Sequence, residues 1–192
     1  MSERQPQILD IEKVIESKAG DKAKYIPKFL INWFKRFMHL DVINDFLKEG
    51  YVGVEFCEQC IKRLGVEIEI IGLDNLPMDG RKYTFVSNHP LGAIDGVTLG
   101  AIIGKEYDGK IKYLMNDLLM NLKGMAPLGV PVNKLGGQAR NLSKLINDVF
   151  ESENQMLIFP AGLCSRKIDG KITDLPWGKA FVKKSRETGR DI

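Results

Sequence analysis

The chain has 192 residues, of which 44% are hydrophobic and 28% charged, the balance of a soluble globular domain with one sizeable core. Its formal net charge of +3 is too small to indicate a nucleic-acid partner, and we expect none. No apolar run is long enough to span a membrane and the first residues lack the apolar core of a signal peptide, so we expect neither secretion nor a spanning segment.

Residues 1–64 are predicted to form an N-terminal helical, membrane-docking region. A basic amphipathic helix is predicted between residues 18 and 39, with further helices at about 41–48 and 54–64. The apolar residues of the first helix recur at helical spacing, and its basic residues surround them: Ile26, Phe29, Leu30, Trp33, Phe34, Phe37 and Met38, with Lys18, Lys22, Lys24, Lys28, Lys35 and Arg36. Such a helix can lie on an anionic membrane surface, where each Lys or Arg contributes about 1 kcal/mol. The alternative is that the apolar stripe packs against the rest of the protein.

The three cysteines do not form a disulfide or zinc framework. Cys57 and Cys60 make a single Cys-x-x-Cys inside a predicted helix, without a second ligand pair at zinc-site spacing. We therefore expect both to pack as small apolar side chains, in a reducing, cytoplasmic setting.

From residue 65 onward, predicted strands alternate with predicted helices. The strands are predicted at 66–71, 83–88, 112–115, 129–132 and 155–159, and the helices at about 97–103, 140–151 and 177–188. This alternation predicts an α/β core over residues 65–192, with a largely parallel central sheet flanked by helices. In such sheets, ligands bind beyond the carboxyl ends of the strands.

The turn after the predicted strand 83–88 carries a candidate catalytic pair, His89 and Asp95, with five residues between them. Gly92 lies within the turn and can adopt backbone angles that let the chain fold tightly, which would bring the two side chains together. A neutral imidazole oriented by a carboxylate is a general base. The alternative is that His89 is an ordinary loop residue and that Asp95 is only the N-cap of the next helix.

Two further strand ends carry candidate anion-binding residues. After strand 155–159, Gly162 and Ser165 precede Arg166 and Lys167, and backbone N–H groups with two cations can bind a phosphate or a carboxylate. Lys134 follows the strand at 129–132. We expect these junctions and the His89 turn to share one cleft, although a solvated basic loop is the alternative for the second junction.

Residues 66–184 resemble the glycerolipid acyltransferase superfamily, which includes the 1-acylglycerol-3-phosphate acyltransferases. Asn88-His89 through Asp95 resembles its first motif, Asn-His-x4-Asp, with one additional residue here. Residues 129–134 resemble its second motif, which ends in a basic residue, and residues 159–165 resemble its third, Phe-Pro-Glu-Gly-Thr-Arg-Ser. Ala161, Leu163 and Cys164 stand where the third motif has Glu, Thr and Arg. This variant resembles a bacterial hemolysin-like subgroup, which is related to enzymes that O-acylate lyso-aminolipids.

The resemblance implies an O-acyltransferase that moves a fatty acyl group from an acyl thioester, of acyl carrier protein or coenzyme A, to a hydroxyl of a lyso-glycerolipid or related lyso-lipid. His89 would be the general base and Asp95 would orient it. The acceptor headgroup would be bound by Lys134, Gly162, Ser165, Arg166 and Lys167. Neither a metal nor another cofactor is implied, and the enzyme would be peripheral on the inner face of the cell membrane.

Two other functions remain alternatives: a catalytically inactive peripheral lipid-binding protein, and a thioesterase or other hydrolase that depends on Cys164. At the C-terminus, residues 190–192 are predicted to approach another strand. Members of the family continue into that strand, so we expect these 192 residues to be a fragment that lacks one side of the sheet.

Overall fold

The structure, a computed structural model, describes residues 3–116, 119–132 and 139–192. Its helices are α1 (Ile11–Ala19), α2 (Lys28–Phe37), α3 (Leu40–Lys48), α4 (Gly53–Leu64), α5 (Ala93–Glu106), α6 (Ala139–Glu151) and α7 (Ala180–Glu187). Its strands are β1 (Thr84–Val86), β2 (Ile111–Met115), β3 (Gly129–Pro131), β4 (Gln155–Ile158), β5 (Arg166–Ile168) and β6 (Lys171–Thr173).

Within the described residues, the central sheet contains four parallel strands in the order β1-β4-β2-β3. Strand β4 is buried along its whole length, which fits its position between two neighbours with helices over the sheet. Its register aligns Phe85 with Leu157 on one side and Tyr113 with Leu157 on the other. The predicted parallel α/β core is therefore confirmed.

Two hydrophobic clusters fill the two sides of the sheet. The larger joins side chains of α3, α4 and α5 to the sheet, and the smaller joins α6 and Phe181 of α7 to β4. Helices α4 and α5 approach closely because α5 carries glycine at the contact: a Cβ at Gly100 would lie 3.0 Å from Sγ of Cys57, and one at Gly104 would lie 2.5 Å from Cγ2 of Val54. The division of the chain at residue 64 stays a prediction.

Arg190 fixes the C-terminal residues to the sheet. Its guanidinium is buried and donates hydrogen bonds to four backbone carbonyls, those of Tyr83, Phe150, Ser152 and Asn154. Directly after it, Asp191 forms a parallel bridge with Tyr83 beside β1. The predicted approach to another strand is thus present as a single bridge.

The predicted single helix over 18–39 is wrong. Gly20, with a φ of +53°, ends α1, a short 3₁₀ segment follows, and Pro27 precedes α2. The aromatic residues of α2 lie on the surface: Phe29 is 73% exposed, Trp33 59% and Phe37 64%. The stripe therefore does not pack into the core of the described protein.

The strand predicted at 66–71 is also wrong. The segment alternates at period two, but within the described residues no strand pairs with it, and Ile71 is 89% exposed. Conversely, the antiparallel hairpin of β5 and β6 was not predicted. Its turn is formed by Asp169 and Gly170, both with positive φ, as a type I′ hairpin turn requires.

The last predicted helix is shorter than expected, since α7 begins at Ala180 instead of residue 177. Among the described residues, no helix combines the length and apolar character needed to cross a bilayer.

Candidate active site

The candidate site lies at the carboxyl edge of the sheet, where two neighbouring strands end. His89 follows β1, and Phe159 follows β4 directly. Because β1 and β4 are parallel neighbours, their carboxyl ends lie side by side, and the two loops after them meet. The structure thereby brings the first and third sequence motifs together.

His89 and Asp95 form the predicted pair. Nδ1–H of His89 donates to Oδ2 of Asp95 at 3.0 Å, and both side chains are largely buried, with exposed fractions of 19% and 12%. The same carboxylate oxygen accepts the backbone N–H of Leu91 at 2.8 Å. With Nδ1 protonated, Nε2 carries the free lone pair of the neutral ring, and no other described residue bonds to it.

Gly92 lies in the turn between His89 and Asp95. Its backbone, with φ of +69° and ψ of −123°, lies in a region that only glycine adopts readily, and α5 begins at the next residue. Gly92 is thus the N-cap, while Asp95 lies in the first helical turn and turns back to His89. The alternative in which Asp95 is only an N-cap does not describe this structure.

The aromatic ring of Phe159 supports the imidazole from one face. The ring centroids of His89 and Phe159 are 4.1 Å apart, and the ring planes are inclined by 21°. This stacking restricts rotation of the imidazole about its χ angles. The sequence placed Phe159 in the third motif without giving it a role.

A second carboxylate, Asp174, connects the site to the segment after β4. The hydroxyl of Ser165 donates to Oδ1 of Asp174, and Nε1–H of Trp177 donates to Oδ2 at 3.0 Å. The backbone N–H of His89 also points to Oδ1 at 3.5 Å, while its carbonyl accepts the N–H of Ser165 at 2.8 Å. The Ser165 and Trp177 hydrogen bonds lower the pKa of Asp174 below its usual range.

The predicted binding residues occupy different positions. Ser165 lies beside His89, whereas Gly162 lies in the loop with a φ of +67°, and Arg166 and Lys167 are exposed on β5. Neither cation forms an ion pair within the described part of the chain. The prediction for Lys134 lies outside the described residues.

The cysteines differ in accessibility. Cys164 is exposed, and its Sγ lies 3.2 Å from where a Cβ on Gly92 would be. Burial raises the pKa of Cys57 to about 12 and that of Cys60 to about 11, which makes both thiols poor nucleophiles. In the described ranges, no three His, Cys, Asp or Glu side chains are grouped so as to hold a metal ion.

Sequence comparison places this geometry in a family. Residues 13–192 match a family described as Acyltransferase. The lyso-glycine lipid O-acyltransferase of Phocaeicola vulgatus is 54% identical over 187 residues, which cover 96% of this chain and 67% of that protein. The lyso-glycine lipid O-acyltransferase of Bacteroides thetaiotaomicron is 51% identical over 187 residues, covering 96% of this chain and 68% of that protein. No solved structure matches the chain.

Proposed function

The chain belongs to this acyltransferase family, and we propose that it transfers a fatty acyl group from an acyl thioester to the hydroxyl of a lyso-lipid with an amino-acid headgroup. The observation that carries the proposal is the hydrogen bond between His89 and Asp95 at the carboxyl edge of the sheet. The names of the two relatives support the choice of acceptor.

In the proposed reaction, Nε2 of His89 takes the proton of the acceptor hydroxyl as that oxygen attacks the thioester carbonyl carbon. The tetrahedral intermediate then collapses, the C–S bond breaks, and the leaving sulfur receives the proton from Nε2. The products are an ester and a free thiol. General base catalysis of this kind contributes typically about 10² to 10⁴-fold.

Backbone N–H groups at the start of α5 are the candidates for stabilising the oxyanion. Within the described residues, the N–H groups of Ala93 and Ile94 have no hydrogen-bond acceptor. They lie at the N-terminus of a 14-residue helix, the positive end of its dipole. Donors of this kind are typically the largest single contribution to acyl transfer.

The acceptor's carboxylate is proposed to bind on β5. Arg166 follows Ser165, whose N–H donates to His89, so the strand begins beside the base. Successive residues of a strand point to opposite faces, which means that only one of Arg166 and Lys167 can face the acceptor. We expect one of the two alanine variants to raise the KM for the acceptor and the other to leave it near the parent value.

The experiment that tests the function measures acyl transfer with defined substrates. Purified protein is given acyl carrier protein or coenzyme A thioesters together with either a lyso-glycine lipid or 1-acylglycerol-3-phosphate. We expect ester formation with the lyso-glycine lipid to be at least as fast as with the phosphate acceptor, and to be lost in His89→Ala. Activity with the phosphate acceptor only would refute the proposed acceptor. Release of fatty acid without any acceptor, abolished by Cys164→Ala, would favour the hydrolase instead.

An anionic membrane surface is the proposed site of action. The exposed aromatic residues of α2 support this, since Trp33 stacks on Phe37 with centroids 5.3 Å apart and both rings remain on the surface. Lys28 and Arg36 lie on the same helix, while Lys35 is held by Glu12 of α1 at 2.7 Å. Aromatic side chains with flanking cations suit the headgroup region of a bilayer.

Vesicle sedimentation tests the membrane proposal. We expect Trp33→Ser with Phe37→Ser to weaken binding to anionic vesicles at all salt concentrations, and Lys28→Glu with Arg36→Glu to weaken it mainly at low salt. Ile71→Ser, which removes an apolar side chain elsewhere that is more exposed than Trp33 and Phe37, is the control and should bind normally. Unchanged sedimentation of both double variants would exclude α2 as the docking surface.

A further inference from the structure

We propose that Asp174 is a positioning residue for His89, holding the backbone of the base against the segment that follows β4. The inference rests on the proposed function only in taking His89 as the base. Asp174 lies outside all three sequence motifs, and it lies 85 positions from the residue that it would hold.

Asp174 and Ser165 hold the peptide unit of His89 from both sides. The His89 N–H points to Oδ1 of Asp174 at 3.5 Å, and the His89 carbonyl accepts the N–H of Ser165 at 2.8 Å. The Ser165 hydroxyl also donates to Oδ1 of Asp174, the oxygen to which the His89 N–H points. The position of the His89 backbone is therefore set by residues that are remote in sequence.

The other carboxylate oxygen is held as well. Nε1–H of Trp177 donates to Oδ2 at 3.0 Å, so both oxygens of Asp174 have donors and the carboxylate cannot rotate freely. Trp177 packs edge-on against Phe181, with centroids 6.5 Å apart, and Phe181 packs against the cluster around β4. Packing in the core thus restrains Trp177, Trp177 orients the carboxylate of Asp174, and that carboxylate faces the backbone N–H of His89.

Orientation of the imidazole depends on that backbone position. Asp95 fixes the ring through Nδ1, and Phe159 restricts one face, but both contacts assume that the Cα of His89 stays in place. A displacement of about 1 Å at a reacting group can cost about 10²-fold in rate. Asp174 therefore acts on the rate through His89, without contact with the substrate.

The kinetic test compares variants at Asp174 with a matched control. We expect Asp174→Ala to lower kcat by about 10- to 100-fold while the KM for a lyso-glycine lipid stays within about twofold. The control is Asp169→Asn, which removes an exposed carboxylate from the turn between β5 and β6. It should leave both kcat and KM unchanged. A rise in KM alone would overturn a positioning role at the base.

Asp174→Asn tests whether both oxygens of residue 174 must accept hydrogen bonds. Its amide oxygen can still accept the Ser165 hydroxyl, but its NH₂ then faces the indole N–H of Trp177, which places two donors together. We expect Trp177→Phe, which removes that opposing donor, to restore part of the kcat lost in Asp174→Asn. If the double variant is no faster than Asp174→Asn, the proposed hydrogen-bond arrangement is wrong.

A spectroscopic test reads the position of His89 without relying on activity. The chain has two histidines, so His39→Asn leaves His89 as the sole imidazole, and Asn tolerates the left-handed backbone at that position. The ring protons of His89 then report its stacking on Phe159 through ring-current shifts in NMR. We expect Asp174→Ala to move these resonances and Asp169→Asn to leave them in place.

The outcomes separate this inference from the function on which it rests. Unmoved His89 resonances in folded Asp174→Ala overturn the inference, and so do moved resonances with an unchanged kcat. Wild-type activity in His89→Ala would instead refute the base, while the resonances would still decide whether Asp174 positions that residue. If Asp174→Ala does not fold, Asp174→Asn and Ser165→Ala carry the same readouts.

Discussion

Replacing Asp95 with Asn is predicted to slow acyl transfer by about 5- to 1000-fold. One carboxylate oxygen accepts both Nδ1–H of His89 at 3.0 Å and the N–H of Leu91 at 2.8 Å. When the imidazole takes the acceptor's proton, the pair becomes an ion pair, which contributes about 4 kcal/mol at about 4 Å and an effective dielectric constant of about 20. The advantage of a charged over a neutral hydrogen bond sets a lower value of about 1 kcal/mol.

The contact with Leu91 determines how the asparagine is oriented. Its NH₂ group would oppose the Leu91 N–H, so we expect the amide oxygen to stay where Oδ2 was. His89 then keeps Nδ1–H and a free Nε2, and only the charge is lost. Asp95→Ala removes the orienting group as well and should be slower still, toward a loss of about 10⁴-fold.

The assay is a steady-state measurement of ester formation, with kcat and KM determined for donor and acceptor, and with circular dichroism to verify the fold. We expect a lower kcat at unchanged KM, with kcat falling in the order parent, Asp95→Asn, Asp95→Ala. An Asp95→Asn variant within twofold of the parent would refute the role given to the carboxylate. Equal losses in the two variants would show that charge, and not orientation, is what Asp95 supplies.

Three further predictions concern stability and reactivity. Arg190→Lys should lower the free energy of unfolding by at least about 3 kcal/mol, because one ammonium cannot replace a buried guanidinium bonded to four carbonyls. Urea denaturation measures this loss, and a value below about 1 kcal/mol would contradict the prediction. Gly100→Ala should cost about 1–3 kcal/mol in the same experiment, since its Cβ would lie 2.0 Å from Oη of Tyr113, and an unchanged transition midpoint would show that the helix shifts freely. Burial raises the pKa of Cys57 to about 12, so iodoacetamide at pH 8 should label the exposed Cys164 first; early modification of Cys57, detected by mass spectrometry, would be the opposite result.

The strands of the parallel sheet and the candidate catalytic pair could be predicted because their signals are local. Strand β4 is a continuous apolar run, and the rule that ligands bind at carboxyl strand ends correctly placed His89 beside the segment after β4. The His89–Asp95 pair was predictable because only five residues separate its members. The roles of the predicted binding residues stay predictions.

The remaining features depend on distant parts of the chain. Residues 66–71 alternate like a strand, but period two predicts a strand only where a neighbour pairs with it, and no described strand does. Asp174 gave no signal, since nothing local links it to a turn 85 positions earlier. The break between α1 and α2 has, by contrast, a local signal in Gly20 and Pro27, two residue types that end or interrupt helices. Here their effect prevails over the apolar periodicity that predicts one continuous helix.

His89 gains its backbone partners late in synthesis. Asp174 lies 85 positions after His89, so at about 5–20 residues per second it leaves the ribosome roughly 4 to 17 s later. Until β4 has been made and has paired with β1, the turn that carries His89 lacks both this strand and the segment after it. If α2 docks on a membrane, as proposed, a nascent chain can therefore meet the bilayer before the backbone of His89 is held in place. If His89 is the base, as proposed, partly made chains would transfer little acyl group, because the residues that hold its backbone leave the ribosome later.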